Sequence, residues 1–310
     1  GRIISAHGDC DVDPHMDGVR VHRLAYVGLV FAASPAQAHG WHAAAGGERL
    51  FEVLLVVLLL VGTLGYLGGL TGLWKKGGMG RGVRPAEATC FLPGWIALAA
   101  SLLGTLDQMA DRSFALHMTQ HEILMVLAAP LIVAGRPLEV WNWGFAPAAR
   151  RFMVRMQRSV TLRRLFAWTV TSLGAWSLHA TALWVWHIPF LFSAALEHPL
   201  LHILQHACFF ATALAYWWSV VGGRTRTPSA TSIASLFTTM LHTSALGALL
   251  TFAPSPWYTT EGARAFGLSA LEDQQLGGLV MWVPGGLAYM VVGLAIVGRW
   301  LKRSQTPVFR

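Results

Sequence analysis

The sequence predicts an all-α membrane protein, a bundle of seven transmembrane helices with its mature amino terminus outside and its carboxyl terminus in the cytoplasm. Three observations predict it: a composition suited to lipid, seven long apolar stretches, and cationic residues gathered in alternate loops. Of 310 residues, 54% are hydrophobic and only 12% charged, with 14 tryptophans and a positive mean hydropathy. A soluble globular domain carries about twice that share of charge.

The apolar stretches lie near 50–73, 90–109, 114–135, 165–186, 200–221, 231–253 and 276–298. Each is close to the ~20 residues that a helix needs to cross a bilayer. The sixth and seventh are separated by the polar stretch Ser255 to Gln275, the longest predicted outer loop.

Charge sets the orientation. One set of loops holds Lys75, Lys76, Arg81 and Arg84, then Arg136 and the arginines from Arg150 to Arg164, then Arg224 and Arg226, then the cations from Arg299 to Arg310, seventeen in all. The opposite set holds only Arg49, Arg112 and Arg264. By the positive-inside rule the seventeen are cytoplasmic, so the net charge of +8 follows from topology and calls for no nucleic acid.

The first residues read as a separate segment. Met16 opens a secretory pattern of Arg20 and Arg23, an apolar run from Leu24 to Ala33, and Ala36-Gln37-Ala38. That run is too short to span and has the form of a signal peptide. Residues 1–38 are therefore expected to be upstream sequence plus a cleavable signal, and 39–310 the seven-span membrane domain. Cleavage after Ala38 would start the mature chain at His39-Gly40-Trp41-His42 on the exported side.

Cys10, Cys90 and Cys208 form no CxxC or CxxxC pair, which sets aside dithiol chemistry and thiolate metal transfer. Histidine is distributed differently. From His39 onward there are ten, and none falls in a predicted cytoplasmic loop. His117 and His121, with Met125 four further on, recur at the spacing that puts side chains on one helix face, and His198, His202 and His206 repeat it. Paired imidazoles with thioethers suit copper, and the thioether favours Cu(I). Met118, Met240 and Met281 add soft donors near the same membrane half.

Other readings remain open at this level. Single histidines such as His179 and His242 equally fit interhelical hydrogen bonding. Histidines on facing helices can also clasp a haem iron. Zinc proteolysis is disfavoured, because His117-Met118-Thr119-Gln120-His121 has Met where HExxH carries its general base. Asp107, Asp111, Glu122, Glu272 and Asp273 crowd the outer end, where they can support imidazoles, draw in cations, or serve as ordinary helix-end acids.

The run His117-Met118-Thr119-Gln120-His121 is followed by Ala128-Ala129-Pro130-Leu131 and Gly135-Arg136-Pro137. Further on come His187-Ile188-Pro189, His202-Ile203-Leu204-Gln205-His206, the block from Gly247 to Ala253, Asp273-Gln274-Gln275-Leu276-Gly277-Gly278, and Met281-Trp282 with Pro284-Gly285. Together these resemble the caa3-type CtaG family of cytochrome c oxidase assembly proteins, from about residue 114 onward. This is not the single-span, cysteine-using copper chaperone that shares the CtaG name. Gln205 stands where some members carry an acidic residue, so a carboxylate role is not expected there. The resemblance implies a polytopic plasma-membrane protein that matures the oxidase, with a role in placing copper.

The expectation is thus an assembly factor rather than an enzyme. His117, His121, His202 and His206 should form one outward-facing copper site shared between the third and fifth spans, with His187 and Met240 as auxiliary ligands. Its partners would be a haem-copper oxidase subunit, an unidentified copper donor and the bilayer. The rival functions are a membrane copper transporter, which needs a polar route continuing inward past His242, and a haem-binding redox protein.

Overall fold

The computed structural model describes residues 45–144, 151, 167–222, 230–258 and 267–304. The signal segment, His39, His42, Arg264 and eight of the seventeen cations that set the orientation lie outside the described residues. Among the described residues every regular element is a helix. In chain order they are α1 (Ala45–Gly77), α2 (Pro85–Leu102), α3 (Thr105–Ala110), α4 (Phe114–Glu122), α5 (Ala129–Ala134), α6 (Pro137–Gly144), α7 (Ser172–Trp186), α8 (Pro189–Glu197), α9 (Pro199–Val221), α10 (Ala230–Thr251), α11 (Ala270–Val280) and α12 (Gly286–Ser304).

Five stretches are long and apolar enough to cross a membrane: Leu50–Gly77, Phe114–Ala134, Pro199–Val221, Ala230–Thr251 and Ala270–Lys302. The pair α7 and α8, bent by 76°, passes the same test only when taken together, as a broken span or a re-entrant loop. The bend has a local cause. His187 leaves helical geometry, Ile188 is extended as a residue before proline must be, and Pro189 opens the next helix.

The count of seven rests on the predicted span 90–109, which takes a different form. Its helix α2 begins earlier, at Pro85, and includes Glu87, Pro93 and Gly94, which dilute its apolar run. It stops at Leu102; Gly104 turns the chain with φ 87°, and the six-residue α3 follows.

Two spans carry a wider, π-helical turn. One, Ile123–Ala128, joins α4 to α5, and the other, Met281–Gly285, joins α11 to α12 and contains Pro284. Proline supplies no N–H, so a widened turn there spares the regular hydrogen-bond ladder.

Side chains sort by solvent, which here is lipid. On α1, Leu50, Leu58 and Leu64 are all more than half exposed. Inside, one large apolar core gathers Tyr66, Phe91, Leu124, Met125, Phe209, Trp217 and Tyr289. A smaller one gathers Phe114, Met118, Phe192, Leu246, Leu250, Tyr258 and Met281. Helices α10 and α11 cross closely at Gly247 and Gly278, where a Cβ on either would fall 2.6–2.7 Å from the other's carbonyl oxygen. Small residues at such crossings are how membrane helices gain contact.

Candidate metal centre

Helix α4 carries His117 and His121, and its start is held from across the bundle. Ser113 caps it by accepting from the Leu116 N–H. The buried Asp273 carboxyl, in the first turn of α11, accepts from Ser113 Oγ at 2.6 Å and from the Phe114 and Ala115 N–H groups at 2.6 and 3.1 Å. An acidic group at a helix start suits the exposed N–H groups and the dipole there. One turn on, Gln120 Nε2 donates to the Ser101 carbonyl at 2.6 Å and to Asp107 Oδ1 at 2.7 Å. These bonds fix the rotation of α4 about its axis and hence where its imidazoles point.

Those imidazoles meet the ones on α9. His117, His121 and His206 are buried, and each offers a ring nitrogen within 4.8 Å of the others. Ring centroids lie 4.3 Å apart for His117 and His121, 5.0 Å for His121 and His206, and 5.8 Å for His117 and His206. His202 completes the group at 5.2 Å from His117 and 4.4 Å from His206. Three nitrogens each about 2.0 Å from one ion stand roughly 3.5 Å apart, so small ring rotations would close the three onto a cation.

The nitrogens otherwise face no protein partner. Both on His117, both on His121, and Nε2 of His202 and of His206 are buried without a hydrogen bond in the protein. Gln205 and the Ala110 carbonyl lie near His117 but do not meet hydrogen-bond geometry. A buried polar group left unpaired costs roughly 1–3 kcal/mol, so so many together call for a ligand. The donor set, neutral imidazoles with a nearby thioether, fits copper.

The remaining sequence candidates are distributed as follows. His187 closes α7, with Nδ1 2.7 Å from the Leu183 carbonyl and Nε2 3.4 Å from Met118 Sδ. Met240 lies on α10, partly buried against the large core, so the thioether placed at His187 is that of Met118. Met125 lies within the widened turn and packs in the large core, and its carbonyl accepts Trp217 Nε1 at 2.8 Å. His198 is exposed at the start of α9. Asp107 faces His202.

Deeper in the bundle, His179 bonds Thr212 Oγ1 at 3.2 Å and Tyr289 Oη at 3.4 Å and stacks on Tyr216. His242, by contrast, has both nitrogens unpartnered beside Trp176.

Sequence reasoning passed over the residues that brace the centre. Gln274 Oε1 accepts from the Trp257 and Tyr258 N–H groups at 2.5 and 3.3 Å, and Tyr258 Oη donates to the His187 carbonyl at 2.5 Å. Phe192 packs against His117, and Phe209 against His121. Only the proximity in sequence of Asp273 and Gln274 to the loop predicted as outer hinted at this brace.

Fold and site define an all-helical protein with several membrane-crossing helices and a buried imidazole cluster shared between two of them. A family model described as cytochrome c oxidase caa3 assembly factor (Caa3_CtaG) matches residues 64–303, and the chain belongs to that family. Two curated relatives are Uncharacterized protein Mb0105 of Mycobacterium bovis (strain ATCC BAA-935 / AF2122/97) and Uncharacterized protein MT0111 of Mycobacterium tuberculosis (strain CDC 1551 / Oshkosh). Each is 25% identical over 281 residues, covering 84% of this chain. The chain spans 40% of the length of each relative. No solved structure matches it.

Proposed function

We propose that the protein binds copper at His117, His121 and His206, with His202 beside them, and delivers it to a haem-copper oxidase subunit during assembly in the plasma membrane. Membership in an oxidase assembly family supplies the process. The observation that carries the copper reading is the convergence of three buried imidazoles, their ring nitrogens within 4.8 Å and unpartnered in the protein. The task is binding and handover, with no substrate turned over. Close packing of the rings on one another and on Phe192 and Phe209 favours a bare ion over haem.

The test is the double replacement His121→Ala with His206→Ala. Alanine is an excellent helix former, so each helix should persist. The expected outcome is normal membrane abundance, less copper bound to the purified protein, and an oxidase that is present but copper-poor. Wild-type copper content and oxidase activity in the double variant would reject the reading.

A transport reading has one observation in its favour. Buried or half-buried polar groups continue inward from the cluster: His179, Thr212, Tyr216, Tyr289, Ser235 and Thr239. Copper uptake into proteoliposomes separates the two, since handover alone leaves the lumen without copper.

A further inference from the structure

His187 and Met118 meet in a way that ordinary packing does not satisfy. The Leu183 carbonyl, 2.7 Å from Nδ1, can only accept, so Nδ1 carries the proton. A neutral imidazole then has a bare lone pair on Nε2, and Nε2 faces the Met118 sulfur at 3.4 Å. A thioether has no proton to give. Two electron-pair donors therefore point at each other, both residues being buried, His187 4% and Met118 0% exposed. Protonating the ring would let it donate to both, but would place an uncompensated charge among apolar neighbours.

A metal cation is what both groups can share. A ligating histidine characteristically donates its other N–H to a backbone carbonyl, as His187 does. An imidazole paired with a thioether is a soft set that selects Cu(I), or silver(I) in its place. The pair is also anchored from behind, through the Tyr258 hydroxyl on the His187 carbonyl.

We propose that His187 Nε2 and Met118 Sδ form a second, soft copper(I) station beside the imidazole cluster, through which the ion leaves. Met118 follows His117 in the chain. Phe192 and Phe209 each touch both places: Phe192 lies 5.2 Å from His117 and 6.4 Å from His187, and Phe209 lies 4.7 Å from His121 and 6.0 Å from His187. The transfer is a ligand exchange. A copper–nitrogen bond in the cluster breaks as copper–sulfur and copper–Nε2 bonds form. Copper stays Cu(I), the ligands stay neutral, and neither proton nor electron is consumed.

The role in copper exit rests on the copper reading above, but the station binds metal on its own account. The test is copper X-ray absorption of the full-length protein in detergent, loaded with Cu(I), in the wild type, in Met118→Leu and in the double variant His121→Ala with His206→Ala. The wild type is expected to show sulfur scattering at about 2.3 Å. Met118→Leu, a swap of similar volume, should lose it while keeping nitrogen neighbours. The double variant should keep sulfur. Sulfur in the double variant at undiminished copper content would uphold the station and reject the cluster. A wild type with nitrogen neighbours alone would reject the station and leave the cluster standing. Persistence of sulfur in Met118→Leu would also reject it. Should Met118→Leu fail to fold, wild type labelled with selenomethionine must show copper–selenium scattering, and its absence overturns the proposal.

Discussion

Two sets of buried histidine share this bundle and differ in what their nitrogens face. His179, on α7, has a hydroxyl at each: Thr212 Oγ1 and Tyr289 Oη. The rings of His117 and His121 have none at either, although they are equally buried. Burial alone therefore does not separate a packing histidine from a ligating one; the inventory of partners does. A histidine with a hydroxyl on both sides is a helix-to-helix tie of the kind membrane interiors use. Unpartnered imidazoles packed ring against ring destabilise the fold unless something binds them. His242 falls between, unpartnered but single on its helix.

The largest effect should come from the brace that serves the second set. Replacing Asp273 by Ala removes the acceptor for Ser113 Oγ and for the Phe114 and Ala115 N–H groups, at a cost of about 3 kcal/mol or more. Membrane abundance and the thermal midpoint in detergent should both fall. Copper retained by the surviving folded fraction should fall with them, since α4 is free to rotate. An Asp273→Ala protein with wild-type midpoint and copper content would show that the brace does not orient the cluster.

A sharper break compares His206→Ala with His179→Ala. The first removes a cluster nitrogen that has no protein partner, so bound copper should fall with little change in the thermal midpoint. The second removes two hydrogen bonds and some packing, so the midpoint should drop by the equivalent of about 1–2 kcal/mol while copper stays. Equal copper loss in both would erase the distinction between the two sets.

Much of this was legible in the sequence, for reasons that also explain what was not. Spacing of four on a helix is a local property, so His117 with His121 and His202 with His206 declared their shared faces directly. That the two faces meet is a tertiary fact, and it was inferred only from both lying toward one membrane side. The same spacing puts Met125 one turn beyond His121, where the structure buries it in the large core within the widened turn at Ile123–Ala128. A π turn has no strong composition signal, and the contact of the Met118 thioether with His187 is likewise a tertiary fact. Which thioether stands at His187 was not legible either, because contacts between spans distant in sequence leave no trace in one chain. The second predicted span was seen as apolar, while its break at Gly104 was not. Asp273 and Gln274 were visible as residues, but their bonds cross more than 150 and about 20 positions respectively.

The smallest predicted effect tests whether the two regions are independent. The turn at Ile123–Ala128 lies between the cluster helix α4 and the large core, and Trp217 fastens it by donating from Nε1 to the Met125 carbonyl at 2.8 Å. Trp217 also stacks on Tyr289, with centroids 5.5 Å apart and planes 4° from parallel, and Tyr289 is the partner of His179. Trp217→Phe keeps a ring for the stack and removes the donor. If the widened turn is held by its flanking helices, the loss is one buried hydrogen bond, about 1 kcal/mol, and copper affinity should stay within about twofold. If the Trp217 bond is what holds the turn open, the segment would relax to regular α-helix. That change would rotate His117 and His121 relative to α9 by roughly 100°, and copper affinity would collapse. Isothermal titration of Cu(I) and a thermal melt on the same preparation separate these outcomes. A small drop in midpoint at unchanged affinity keeps the packing histidine and the ligating set as separate units. A loss of affinity makes them one.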